Sequence, residues 1–441
     1  MEGEIRQLGV REIAGQVRRK ERPKDYFVRR SLASIEALDS QIRAWACIAP
    51  RANIIEATSA VDTAAPLAGV PIGVKDVLHI AGMPTAYGAQ LFARRAEEFD
   101  AACVGMLRAA GAVPIGKTVT AEFAYKHPGP TRNPHDLRRT PGGSSSGSAA
   151  AVAAGMVPVT IGTQTGGSII RPAAFCGVAG FKPSFGAVPR DGMKVSCESL
   201  DVIGWYGTSV SDIGAIADVL LSDERVLQSP ARRPRVAVIC GTSLHALDSD
   251  AREILVMAER ALIDYGATCT QIAFPQEFAL LVEAHRTIMQ YEFARSLASV
   301  ARVVRSGLSE VLLACVRQGL AISRSQYRGM KDVQSSLRDT WNMHFGDADL
   351  ILTPSVPGEA PLGLAATGSS AFNVVWSVLG WPCLHIPFGR SRHGLPLGIQ
   401  LVGKWNGDAE LLGWGSWVES LRRDQGVTIS SESRMASYVI R

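Results

Sequence analysis

The chain has 441 residues, 46% hydrophobic and 20% charged, which supplies a large core and excludes a disordered or low-complexity protein. Its 46 Lys+Arg against 41 Asp+Glu leave a net charge of +5, too mild and too evenly spread to call for a nucleic-acid partner. The eight scattered cysteines form no CxxC motif, the N-terminus has no apolar signal-type core, and no run reaches the ~18 apolar residues of a membrane span. A cytoplasmic protein with no membrane partner and no metal or other cofactor is the expectation.

Residues 4–60 read as helical, because Tyr26, Val28, Leu32, Ile35, Leu38, Ile42 and Trp45 recur at helical spacing. Val70 to Val74 then reads as a strand ending in Lys75-Asp76. A lysine there ordinarily points to water; if buried, it would lose its proton more easily and could act as a base. Ala101 to Gly111 reads as a helix and Val113 to Lys117 as a strand. Gly111 to Thr118 matches the phosphate-loop pattern G-x-x-x-x-G-K-T. Its loop positions are Val-Pro-Ile, and proline lacks the N–H that a phosphate cradle uses, so the match is accidental.

The stretch Thr140 to Pro172 stands apart. Gly142 to Ser148 (GGSSSGS) and Gly166-Gly167-Ser168 bracket an alanine-rich helix, a strand expected at Met156 to Ile161 and a turn at 162–167. Glycines let backbone N–H groups approach a ligand, and a serine opening a helix lies among unpaired donors. Acyl transfer needs that combination: a hydroxyl nucleophile beside donors that hold an oxyanion. Gly143 to Gly147 also matches G-x-S-x-G, but polar residues precede it where a nucleophile elbow needs a strand. Of the eight histidines, His79 and His385 read as structural, so a Ser-His-Asp triad finds no base. Downstream, segments near 178–181, 199–206, 235–239, 268–274, 349–354, 383–387 and 395–402 read as strands. Ser211 to Leu221, Asp248 to Tyr265 and Asp408 to Arg423 read as helices, residues 222–234 as a charged loop, and 275–345 as helical without visible chemistry. Strands alternating with helices predict an α/β fold.

The two glycine-serine clusters, with Lys75 upstream on Gly73-Val74-Lys75-Asp76, resemble the amidase signature family over about Leu67 to Pro183. The resemblance implies a mixed central sheet covered by helices on both faces, with residues 1–60 packed on a single catalytic domain at 61–441. It implies a triad of Ser168 as nucleophile, Ser144 as the bridging serine after a cis peptide bond, and Lys75 as base. The oxyanion hole would be N–H groups of Thr165, Gly166 and Gly167, with Ser145, Ser146 and Ser148 supporting the loop. Gly162 to Pro172 is most similar to malonamidase-like small-amide hydrolases. In those, an arginine placed like Arg171 binds the substrate carboxylate, for which a guanidinium is well matched. The implied enzyme is a homodimer that hydrolyses a short amide or ureide bearing a carboxylate, such as malonamate or a carboxylated biuret, and releases ammonia. Two other readings are an amidotransferase subunit, which would need partner chains, and a noncatalytic binding protein, disfavoured because all three triad positions are filled.

Overall fold

The computed structural model describes residues 8–92, 95–221, 231–241 and 246–424. Most of the charged loop expected at 222–234, and the first residues of the helical segment, lie outside them. Eleven strands form one sheet: β1 (Trp45–Ile48), β2 (Pro71–Lys75), β3 (Val113–Thr118), β4 (Val159–Gln164), β5 (Ala179–Lys182), β6 (Val202–Gly207), β7 (Arg235–Val238), β8 (Thr268–Gln271), β9 (Leu350–Pro354), β10 (Cys383–Arg390) and β11 (Pro396–Val402). Their order is β1-β3-β2-β4-β6-β5-β10-β11-β9-β7-β8. Pairing is parallel within β3-β2-β4 and within β9-β7-β8, and antiparallel elsewhere.

Both faces of the sheet are covered, and the strand period of two shows it. Ile72, Val74, Val159, Ile161, Leu350, Leu352, Leu384 and Ile386 join one apolar cluster. Their alternating neighbours Ile351 and Cys383 join a second, and Val113 and Ile115 a third. The helices are α1 (Val10–Arg18), α2 (Tyr26–Ile42), α3 (Arg51–Ser59), α4 (Ala102–Ala109), α5 (Ser146–Ala153), α6 (Ile170–Cys176), α7 (Val210–Leu220), α8 (Ser249–Asp264), α9 (Ala279–Val303), α10 (Glu310–Ala321), α11 (Arg324–Arg338), α12 (Trp341–Phe345), α13 (Val374–Leu379) and α14 (Asp408–Asp424). Helices α4, α7, α8 and α14 supply the first cluster, α9, α10 and α13 the second, and α5 the third. Among the described residues no helix is long and apolar enough to cross a membrane.

Two readings from sequence change. The N-terminal segment is not helical throughout: β1 interrupts it and pairs antiparallel with β3 as an edge strand. The strand expected at 156–161 runs three residues later, to Gln164. Gly162 reads as a turn residue in the sequence, yet it lies in the ladder opposite Gly204. A side chain there would collide with Tyr206 and Ser145, so the glycine serves a close approach within the sheet.

Helix α5 is seated by a similar approach. A Cβ on Gly147 would stand 2.1 Å from the Ala44 carbonyl oxygen and 2.4 Å from the Val119 nitrogen. Gly147→Ala is expected to lower stability by about 1–3 kcal/mol, since backbone must move. Gly105→Ala in α4, with nothing within 4 Å of the new methyl, should raise it by about 0.5–1 kcal/mol. Urea midpoints of the two variants, shifting in opposite directions, check this.

Candidate active site

Lys75 is the last residue of β2 and is fully buried, at 0% exposure. Its Nζ lies 2.8 Å from Ser144 Oγ and 2.7 Å from Thr163 Oγ1. Thr163 is on the neighbouring parallel strand β4, just past the Val74–Ile161 register pair. The carboxyl ends of adjacent parallel strands are where α/β sheets collect ligand-binding residues. Burial lowers the Lys75 ammonium from 10.5 to about 7, and the negative charge of Asp201 partly opposes that shift. No carboxylate is paired with Lys75 among the described residues. The adjoining lysine shows the contrast. Lys117 on β3 is equally buried, but it meets Asp76 at 3.1 Å and Thr85 Oγ1 at 3.0 Å. The lysine of the accidental phosphate-loop match is thus half of a buried ion pair.

Ser144 follows a cis peptide bond, Gly143–Ser144. Its segment is fixed on two sides. Arg171 Nη2 donates to the Gly143 carbonyl at 2.6 Å. On the other side, Ser145 Oγ donates to the Thr163 carbonyl and accepts from the Thr163 N–H. Ser148 Oγ donates to the Ile161 carbonyl and bonds Thr118 Oγ1 at 2.7 Å. Ser146 Oγ is 3.5 Å from the Val119 carbonyl. Gly142 adopts a φ of 83°, with its Hα face against Pro172, a conformation and a closeness that favour glycine.

Ser168, 8% exposed, lies in the loop between β4 and α6. Every carbonyl of that loop is engaged. The Thr165 oxygen meets His285 Nε2 at 3.3 Å, and the Gly166 oxygen accepts from Ser377 Oγ at 2.7 Å. The Gly167 oxygen accepts from the Arg171 N–H at 3.0 Å, and the Ser168 oxygen from Tyr206 Oη at 2.9 Å. None of the N–H groups from Thr165 to Ser168 has a protein acceptor among the described residues. Gln164 Oε1 accepts the Ile169 and Ile170 N–H groups at the start of α6, while its Nε2 donates to Ser377 Oγ. Thr165 Oγ1 donates to Asp201 Oδ1 at 2.5 Å.

Arg171 lies in α6 and is 7% exposed. Nη1 and Nη2 donate to the Gly368 and Gly143 carbonyls, and its buried Nε has no partner among the described residues. Burial lowers its guanidinium to about 10, and no carboxylate pairs with it among the described residues. The two histidines that read as structural have other work. His385 Nδ1 is 2.6 Å from Ser355 Oγ, and burial holds its ring neutral, lowered to about 3. His79 faces Glu97 at 3.6 Å. Sequence reasoning missed Thr163, Asp201, Tyr206, His285 and Ser377. Only Thr163 could have been found, by pairing the strand that ends at Lys75 with the strand before Ser168. No group of three or more His, Cys, Asp or Glu residues that could hold a metal occurs among the described residues.

The Amidase family model matches residues 27–412. The chain belongs to the amidase signature family. It is 30% identical to the A-type subunit of the glutamyl-tRNA(Gln) amidotransferase of Geobacter sp. (strain M21), over 93% of this chain and 96% of the relative. Among solved structures it is similar to 6-aminohexanoate cyclic dimer hydrolase, with a TM-score of 0.84 and 25% identity, over 95% of this chain and 97% of that one. It is also similar to the peptide amidase of Stenotrophomonas maltophilia, with a TM-score of 0.80 and 26% identity, over the same shares. The amidase signature fold and an enzyme acting on C–N amide bonds, as amidohydrolase or amidotransferase, are thereby established. The expected partners are corrected. A homodimer acting on a small amide, with no nucleic acid involved, does not fit relatives that are subunits of an amidotransferase for glutamyl-tRNA(Gln). A small, evenly spread net charge carries no information about which faces meet other chains.

If Lys75 acts as the base, its titration sets the pH dependence. Protonated Lys75 cannot accept a proton, so kcat/KM for amide cleavage is expected to rise with pH through about 7; a profile without this limb would remove Lys75 as base. Linkage gives a second check. The folded-state value lies below the unfolded 10.5, so the native state holds fewer protons between the two. The burial penalty is therefore full below about 7 and fades towards 10.5. Relative to Lys75→Met, the wild type should gain stability as pH is raised from about 7 to about 10, measured as the difference in Tm.

Proposed function

We propose that the chain cleaves a primary amide through an acyl-enzyme on Ser168 and works as the ammonia-releasing, A-type component of an amidotransferase. One observation carries the chemistry. An amine whose pKa burial lowers to about 7, so that a substantial fraction is unprotonated near neutral pH, stands 2.8 Å from Ser144 Oγ, in a buried site. Ser168 Oγ attacks the amide carbon as its proton passes to Ser144, and the Ser144 proton passes to Lys75. The oxyanion forms against the unpartnered N–H groups of Thr165, Gly166 and Gly167. The relay then runs backwards, protonates the leaving nitrogen, and the C–N bond breaks to leave a Ser168 ester. Arg171 supports a donor amide that carries a carboxylate, because a buried guanidinium without an acid partner attracts an anion to its Nε–H. The role within a larger complex rests on the amidotransferase relatives.

Ammonia release from glutamine, asparagine, malonamate, a carboxylated ureide and neutral aliphatic amides tests this, with and without co-purified partner chains. Ser168→Ala should lose at least about a thousand-fold in kcat. Arg171→Ala should raise KM for carboxylated donors about ten- to a hundred-fold and leave neutral amides less affected. Full turnover by the isolated chain, unchanged by any partner, would rule out the amidotransferase role and leave a self-sufficient amide hydrolase. Equal KM shifts for neutral and carboxylated amides would remove Arg171 from substrate binding.

A further inference from the structure

We propose that Asp201 and His285 are positioning residues that hold Thr165 by its hydroxyl and its carbonyl respectively and so aim the loop's N–H groups at the reacting carbonyl. This rests on the reading of Ser168 as nucleophile. It goes beyond that reading by assigning a task to two residues outside the triad, one of them in the long helical segment that carries no chemical motif.

The geometry is specific. Thr165 is the first residue after β4 and therefore the point where the loop leaves the sheet. Its hydroxyl donates to Asp201 Oδ1 at 2.5 Å. Asp201 is itself held, because Oδ2 accepts the Ser196 and Cys197 N–H groups at 2.8 and 2.9 Å. Burial pushes this carboxyl above its usual range, and the three donors oppose that shift by favouring the anion while they fix its plane. His285 from α9 meets the Thr165 carbonyl. Burial lowers this imidazole to about 4, so it is neutral at working pH, and its Nε2–H tautomer is the one that donates. The ring also covers Gly166, since a Cβ there would lie 3.0 Å from Nε2. With side chain and carbonyl both held, the peptide plane at Thr165–Gly166 cannot rotate, and its N–H keeps one direction. Preorganised donors are effective because they need not reorient as charge develops.

Asp201 has a second consequence. It is the charged group that acts on Lys75, and it raises the lysine's proton affinity against the effect of burial. Arg190 and Lys194 are the cations that face Asp201. Lys126 is the charge that acts on His285. Loss of the Asp201 charge should therefore make Lys75 less basic, whereas loss of the Thr165 hydroxyl or of the imidazole should not.

An alkyl fluorophosphonate separates these effects without knowledge of the natural substrate. Its labelling forms an O–P bond at Ser168 and expels fluoride. The serine proton leaves through the relay, and the phosphoryl oxygen occupies the oxyanion position. The second-order labelling rate is read by intact-protein mass from about pH 5 to about pH 9, a span that brackets the Lys75 titration. Thr165→Val and His285→Ala should each slow labelling about ten-fold or more with the acid limb unmoved, and His285→Gln, which restores an N–H donor, should recover most of the loss. Asp201→Asn should slow labelling and also shift the acid limb to lower pH. Thr165→Val keeps the volume and the fold, so it decides the matter if Asp201→Asn does not fold. Wild-type labelling by Thr165→Val and His285→Ala overturns the proposal while leaving Ser168 as nucleophile. Equal labelling of wild type and Ser168→Ala removes the nucleophile itself, and this positioning role with it.

Discussion

The site depends on one lysine being denied a counter-ion. Lys75 and Lys117 occupy neighbouring strands, are equally buried, and differ in their partners. Lys117 meets the Asp76 carboxylate, so charge meets charge inside the sheet. Among the described residues Lys75 meets only two hydroxyl groups, and desolvation dominates its proton affinity. The same side chain thus sits in an ion pair in one place and has a lowered proton affinity in the next, as the proposed base requires. Asp76, one residue after Lys75, serves Lys117 and accepts the Ala86 N–H. The nearest acid in sequence is thereby kept occupied.

The rest of the architecture keeps small groups in register around that amine. Two parallel strands deliver Lys75 and Thr163 side by side, because parallel pairing aligns the ends of β2 and β4. The alanine-rich α5 can lie flat on these strands, as its small side chains and Gly147 allow close contact. Ser145 and Ser148 then use β4 carbonyls as acceptors, so the serine-rich segment is a set of fasteners rather than a flexible linker. Arg171 adds the remaining tie, from α6 to the carbonyl just before Ser144.

The α/β class and the paired glycine-serine loops were legible in the sequence because local composition carries them. Alanine runs, β-branched runs and clustered glycine are signals within a short window. The end of β4 was not legible: Gly162 reads as a turn in isolation, and only Gly204 and Tyr206 across the ladder explain it. Strand β1 was hidden among helices because its four residues have no local alternation strong enough to stand out, and its reason to exist is β3. Asp201, His285 and Ser377 lie 36, 120 and 211 residues from the loop atoms they hold. Single side chains at such separations leave no periodic trace.

The distribution of those ties has a consequence for the order in which the protein is made. Synthesis delivers Lys75, Ser144 and Ser168 early, within the first two-fifths of the chain. The carbonyls beside Ser168 then wait for Tyr206, His285 and finally Ser377. A ribosome-bound chain that has exposed its serines and lysine still lacks the contacts that shape the loop between them. A truncated product ending before Ser377 would keep Lys75, Ser144 and Ser168 without the hydroxyl that holds the Gly166 carbonyl.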